Sequence, residues 1–234
     1  MKMLHTIVFV IALSLLALLN ITAQEMSFED DALIQLKKFS EQAMEGKKLR
    51  IVTVEERFEN DDKTPVSFSK SINEILPPDR NRFIYEKRTA SGIERTEYVD
   101  IREKSFVRRN GGEWEILVPS GIGIGGAMGN GNGIIPKVET TIVKSLIKGE
   151  TVNNQSADLY KTVESRRYIY SDKTYTNVST ESFWFDRRGM LIKSFREFQD
   201  GERKTLSRTT QEYEYNPSFN IVAPTIKSKP KTKP

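Results

Sequence analysis

The chain has 234 residues, of which 37% are hydrophobic and 29% charged, with no cysteine and a single histidine, His5. With His5 inside the predicted signal peptide (1–23), a mature protein without His or Cys excludes disulfides, Cys-His and Ser-His nucleophile pairs and the usual zinc ligand sets, and the lack of cysteine predicts a product without a lipoprotein-type acyl anchor. The formal charge of +4 overstates the body's basicity: Lys2, Lys227, Lys229, Lys231 and Lys233 are five of the 36 basic residues, and the 31 left face 32 acidic ones. A near-neutral body lacks the basic face that nucleic acid binding needs.

Residues 1–23 combine Lys2, an apolar run from Ile7 to Leu19 and a small residue at Ala23. This is the pattern of a cleaved signal peptide, which predicts a periplasmic or secreted product; the alternative is an uncleaved anchor helix. The mature part, 24–223, is long enough for a single domain, and 224–234 reads as a disordered Lys/Pro tail.

Residues 27–46 carry Phe28, Ala32, Leu36, Phe39 and Ala43 on one helical stripe, with Ser27 as candidate N-cap and Gly46 as C-cap. From Leu49 the pattern turns to strands, read at 49–59, 66–75, 81–90, 94–101, 104–109 and 112–118. Breaks fall at Pro65, Pro77-Pro78, Ser91-Gly92, Arg102-Glu103 and Asn110-Gly111. Short successive connections predict an antiparallel meander rather than βαβ units.

Residues 119–136 hold seven of the fourteen glycines and no charge. Gly121, Gly123 and Gly126 match a dinucleotide fingerprint in spacing alone, because no helix opens on the third glycine; no cofactor is expected. Two readings stand: a plain surface loop, or an apolar flap presenting Ile122, Ile124 and Met128 to a cavity or an acyl chain. Residues 136–148 are predicted to form a second helix, with Pro136 in its first turn and Gly149 at its end. Strands follow at 157–170 and 175–186. The closing stretch, 182–215, reads as three strands joined by Asp186-Arg187-Arg188-Gly189 and by Asp200-Gly201, the latter as a type I′ turn. In the last strand the odd positions from Thr205 to Tyr215 are uncharged, while Lys204, Arg208, Glu212 and Glu214 occupy the even side.

Three local patterns carry a likeness to a known family: Pro78-Asp79-Arg80-Asn81-Arg82-Phe83, the stretch from Glu150-Thr151-Val152 to Tyr160, and Phe183-Trp184-Phe185-Asp186 followed by Gly189-Met190-Leu191. With the order of elements, they make the chain resemble the LolA-like lipoprotein-carrier superfamily of bacterial envelopes. The resemblance implies an α+β fold in which a curved antiparallel sheet, an incomplete barrel, wraps around a few helices. It also implies that Arg80 or Arg82 holds helices over the cavity. The chain departs from the family in the Gly-rich insert and in having Asp100-Ile101-Arg102 where an Asp-Gly turn is usual.

The expected function is that of a non-enzymatic envelope binding protein sheltering an acyl chain or lipidated partner, monomeric, without metal or cofactor. Burying each methylene is worth about 0.8 kcal/mol, so a lipid tail needs no elaborate polar site. Candidate lining residues by register are Val52, Val54, Phe83, Tyr85, Trp114, Ile116, Phe183, Phe185, Tyr213 and Tyr215; the alternative for each is plain core packing. The competing function is an envelope sensor or protein-interaction module on the same scaffold, with an outer-membrane or envelope protein as partner.

Overall fold

The computed structural model describes residues 25–60, 63–117 and 136–226. The predicted signal peptide, the Gly-rich insert with Ile122, Ile124 and Met128, and the tail from residue 227 lie outside the described residues. Among the described residues there is one helix, α1 (Asp30–Met44), and one antiparallel sheet. Its strands are β1 (Glu25–Met26), β2 (Leu49–Glu59), β3 (Ser67–Leu76), β4 (Arg80–Thr89), β5 (Gly92–Ile101), β6 (Lys104–Arg109), β7 (Glu115–Ile116), β8 (Lys137–Val152), β9 (Gln155–Ile169), β10 (Thr174–Asp186), β11 (Leu191–Asp200) and β12 (Thr205–Tyr215). Their order is β1-β8-β9-β10-β11-β12-β2-β3-β4-β5-β6-β7. Two meanders thus lie side by side, β2 to β7 and β8 to β12, joined where β12 pairs with β2. The sheet is curved and unclosed, the incomplete barrel of the predicted α+β class.

The second predicted helix is not formed. Residues 137–152 are instead a long strand paired with β9 from Lys137 opposite Ile169 to Val152 opposite Gln155. Val138, Thr140, Thr141, Ile142 and Val143 are β-branched, a composition that favours a pleated strand, and the helical spacing of Val138, Ile142 and Leu146 was coincidental. Gly149 has φ +73° and sits in the irregular register between Ile147 and Glu150, so it marks a bulge rather than a helix end. The predicted strand at 112–118 shrinks to the two residues of β7.

Helix α1 starts later than predicted, at Asp30, with Glu29 in the cap position and no side-chain cap bond. Asp30 and Asp31 in the first turn favour its positive end, and Gly46 (φ +69°) follows its last turn. The buried stripe is Leu33 and Ser40, flanked by Phe28, Leu36 and Met44, which is rotated from the predicted one; Ala32 is exposed. These side chains meet Tyr160, Phe183, Phe185, Leu191 and Tyr213, one residue or more from each of β9 to β12. That face of the sheet is hereafter the α1 face.

Two glycines fix how the sheet meets its neighbours. Gly189, at φ +76°, lies under α1, where an added Cβ would sit 3.2 Å from the Phe39 ring. Gly201 does not adopt the positive φ of the predicted type I′ turn. Instead, an added Cβ there would come within 2.2 Å of the Thr176 carbonyl, so glycine is required for space, and Lys204 supplies the positive φ of the β11–β12 connection. At the β10–β11 connection Asp186 Oδ1 accepts the Arg188 and Met190 N–H groups. Next to it, Ser40 Oγ accepts the Leu191 N–H at 2.9 Å, a buried bond tying helix to sheet. Ser40→Ala leaves that N–H unpaired and is expected to lower stability by about 1–2 kcal/mol, read as a shift in the urea midpoint.

The opposite face carries two features. Residues 217–226 lie across it as a strap: Ile221 is buried among Val99 and Phe106, with Leu76, Ile101, Trp114 and Phe219 around them. Lys48 Nζ donates to the Phe219 carbonyl, and the Arg50 guanidinium lies 5.4 Å from the Phe219 ring. Beneath the strap runs a ladder of charges. Arg50 bonds Glu74 and Glu214, both at 2.8 Å. Arg82 lies 3.6 Å from Glu74 and 3.3 Å from Glu97, and Glu97 also takes Arg95 at 3.0 Å and Arg108 at 2.8 Å.

Candidate functional site

The helix leaves a groove along its own edge. Lys37 projects from α1 over the Phe183 ring, with Nζ 3.6 Å from the centroid. Around Phe183 the sheet presents Glu181, Ser194, Arg196, Thr209 and Gln211, which with it line a cavity of about 190 Å³. Strand register explains the grouping: Glu181 pairs with Arg196, which pairs with Thr209, while Phe183 pairs with Ser194, which pairs with Gln211. All these side chains rise on the α1 face.

The polar groups are tied together. Arg196 holds Glu181 at 2.7 Å. Gln211 Oε1 accepts both Ser194 Oγ at 3.2 Å and the Tyr213 hydroxyl at 2.9 Å, and Gln211 Nε2 donates to Thr53 at 3.4 Å. Burial pulls the Lys37 ammonium below its ordinary 10.5, with Glu181 opposing that shift, Arg196 adding to it and Glu41 opposing it. Burial also raises the Tyr213 phenol, and it pushes Tyr215 up to about 12. Both tyrosines therefore stay neutral donors at physiological pH, Tyr215 to the Leu191 carbonyl at 2.6 Å.

From this groove the same face continues across the sheet. Tyr213 stands opposite Ile51, Ile51 opposite Asn73, Asn73 opposite Phe83 and Phe83 opposite Tyr98. The Phe83 and Tyr98 rings lie 6.2 Å apart, and both are half-buried. Asn73 Oδ1 and Asn81 Oδ1 are buried acceptors on this stretch that meet no protein donor. The result is an amphipathic trough: rings at Phe183, Tyr213, Phe83 and Tyr98, with Ile51 and Asn73 between Tyr213 and Phe83, and Lys37 and the Gln211 amide at the α1 end.

The ten predicted lining residues do not share one surface. Phe83, Tyr85, Phe183, Phe185, Tyr213 and Tyr215 are on the α1 face. Phe185 is 2% exposed in the core, and Phe183 alone of the ten reaches the groove beside α1. Val52 and Val54 stand opposite Glu212 and Thr210 on the other face. Ile116 stands opposite Phe106, and Trp114 packs in the Ile221 cluster with Arg108 4.7 Å from its ring. Arg80 and Arg82 are also on that other face and, among the described residues, hold no helix: Arg80 donates to the Ile221 carbonyl at 3.1 Å, and Arg82 joins the charge ladder. Lys37 was missed, although a lysine three residues before Ser40 on the inward stripe of an amphipathic helix is a signal. Arg196 and Glu181 become neighbours only through register, which no single strand reveals.

Among the described residues no group of three or more His, Cys, Asp or Glu is placed to hold a metal. None of their helices is long and apolar enough to cross a membrane.

No protein-family description and no curated protein matches the chain. Among solved structures it is similar to a candidate outer membrane lipoprotein-sorting protein domain from Vibrio parahaemolyticus, at 10% identity and a TM-score of 0.30, over 80% of this chain and 93% of that one. It is also similar to a LolA superfamily protein from Nitrosomonas europaea, at 11% identity and a TM-score of 0.25, over 83% and 94%. The second carries the name of the family that the sequence motifs resemble. At such TM-scores neither likeness adds to what the sheet and helix show by themselves.

Proposed function

We propose that the protein is an exported, non-enzymatic envelope binding protein that shelters an acyl chain or a lipidated partner along the α1 face. One observation carries the reading: the half-buried aromatic trough running from Phe183 past Tyr213 to Phe83 and Tyr98. A chain laid there loses water from its methylenes at about 25 cal/mol per Å² of apolar surface. Lys37, beside Phe183, suits the anionic end of an amphiphile. On this reading residues 1–23 direct export to the periplasm, and the Gly-rich insert bearing Ile122, Ile124 and Met128 acts as a flap over the ligand.

The second reading, an envelope sensor or protein-interaction module, draws on cavity size. Five cavities lined by described residues are about 190 to 340 Å³ each. Ligand sites usually span about 300 to 1,000 Å³.

Native mass spectrometry of protein purified without detergent separates the two: a copurifying lipid is expected, and a bare polypeptide favours the interaction module. Fluorescent fatty acid uptake then tests the face. Tyr213→Asp is expected to weaken uptake at least about tenfold, because it puts a charge on the half-buried α1 face, whereas Glu212→Asp on the other face leaves it unchanged. Equal effects of the two variants would sink the trough assignment.

A further inference from the structure

Beyond the trough, at the far end of the α1 face, β9 and β10 carry a row of rings. Tyr175 stacks on Tyr168, with centroids 5.1 Å apart and planes 21° from parallel, and on Tyr170, at 5.8 Å and 24°. The Tyr170 and Tyr175 hydroxyls are 3.3 Å apart, and that bond, ahead of burial, raises the Tyr175 pKa. Tyr168 closes one end of a groove of about 280 Å³, Phe198 contributes a second aromatic wall and is 39% exposed, and Glu164, Arg166, Asn177 and Ser179 line the rest. The walls are braced from behind. Gly201 N–H donates to Asn177 Oδ1 at 3.0 Å and Lys173 bonds Glu202, so the β11–β12 connection latches the β9–β10 hairpin in place. Asn177 and Ser179 bring an amide and a hydroxyl to the groove lining.

The charges cancel: Glu164 pairs with Arg166 at 2.6 Å, and Lys173 with Glu202. A neutral groove gains nothing from a polyanion, which needs unpaired cations. An acyl chain would bury an ion pair, an amide and a hydroxyl against methylene, leaving them unpaired at a cost. What fits aromatic walls with paired donors and acceptors between them is a ring with C–H faces and equatorial hydroxyls. We propose that the groove bounded by Tyr168 and Phe198 binds a neutral, β-linked oligosaccharide. This goes beyond the lipid reading and does not rest on it.

The test is isothermal titration calorimetry of the full chain with cellohexaose and chitohexaose. Saturable binding of at least one is expected at millimolar concentration or below. Tyr168→Ala and Phe198→Ala are each expected to weaken it at least about tenfold, with the circular dichroism spectrum and fatty acid uptake unchanged. Phe198 is exposed enough that its variant keeps the fold even if Tyr168→Ala perturbs the tyrosine row. Three results overturn the proposal: neither sugar binds, binding survives both variants, or a sulfated oligosaccharide binds more tightly than the neutral ones.

Discussion

Replacing Phe185 with alanine is expected to cost about 3–5 kcal/mol of stability, the range for deleting a buried aromatic ring and leaving its cavity. Phe185 is 2% exposed and contacts the stripe of α1 through Leu33. Its ring lies edge-on to Tyr160 at 5.7 Å, which in turn meets Phe28 edge-on at 5.2 Å. These three rings link the approach to α1 with β9 and β10, so the loss releases the helix as well as the ring. Urea unfolding followed by tryptophan fluorescence measures it. A loss below about 1.5 kcal/mol would mean that α1 is docked by other contacts.

Glu97→Gln is expected to cost about 3 kcal/mol at neutral pH, and the cost is expected to vanish in acid. Glu97 is 4% exposed and sits among Arg82, Arg95 and Arg108. Removing its charge takes from Arg108 the carboxylate it bonds, while Arg82 and Arg95 keep Glu74 and Glu86. Because the three arginines are each 30–41% exposed, water offsets part of the penalty, which places the estimate at the low end for a broken buried pair. Burial pushes the Glu97 carboxyl up, but bonds and charge from Arg108 and then Arg95 outweigh it and hold the pKa below its ordinary 4.5. A depressed carboxylate stabilises the fold above its unfolded pKa and loses that contribution as pH falls through the folded value. The gap in urea midpoint between wild type and variant should therefore start to close as pH falls below the ordinary carboxylate value of about 4.3 and vanish below the depressed folded one. A gap that stays constant from pH 7 to pH 3 would remove Glu97 from the ionised ladder.

The sheet was legible because alternation and turn residues are local. Asn110-Gly111, with φ of +48° and +71°, marks a tight turn between β6 and β7 as read, and the uncharged odd side of β12 does face α1 through Tyr213. The segment 136–148 failed because three- and four-residue spacing fits either structure over a short run, and its β-branched residues should have decided the matter. Which face each strand turns inward was less accessible. In β2, Ile51 and Val52 are consecutive apolar residues that serve opposite faces, so Val52 and Val54 could not be told from Ile51 by pattern. The charge ladder was invisible for a stricter reason: Glu74, Arg82 and Glu97 sit on three strands, and only their register makes them neighbours.

The pairing of β12 with β2, from Thr205 opposite Glu59 to Tyr215 opposite Leu49, also sets an order of events. Apart from the short β1–β8 contact, every other strand pair joins neighbours in sequence and can close as a hairpin. The β12–β2 seam must bring together strands from opposite ends of the chain and pay the loop-closure entropy of everything between. Each meander can therefore form early and independently, and the seam is the slow, late step that turns two ribbons into one sheet. The strap follows β12 directly and crosses onto the other meander through Ile221, so it can dock only after that seam has closed.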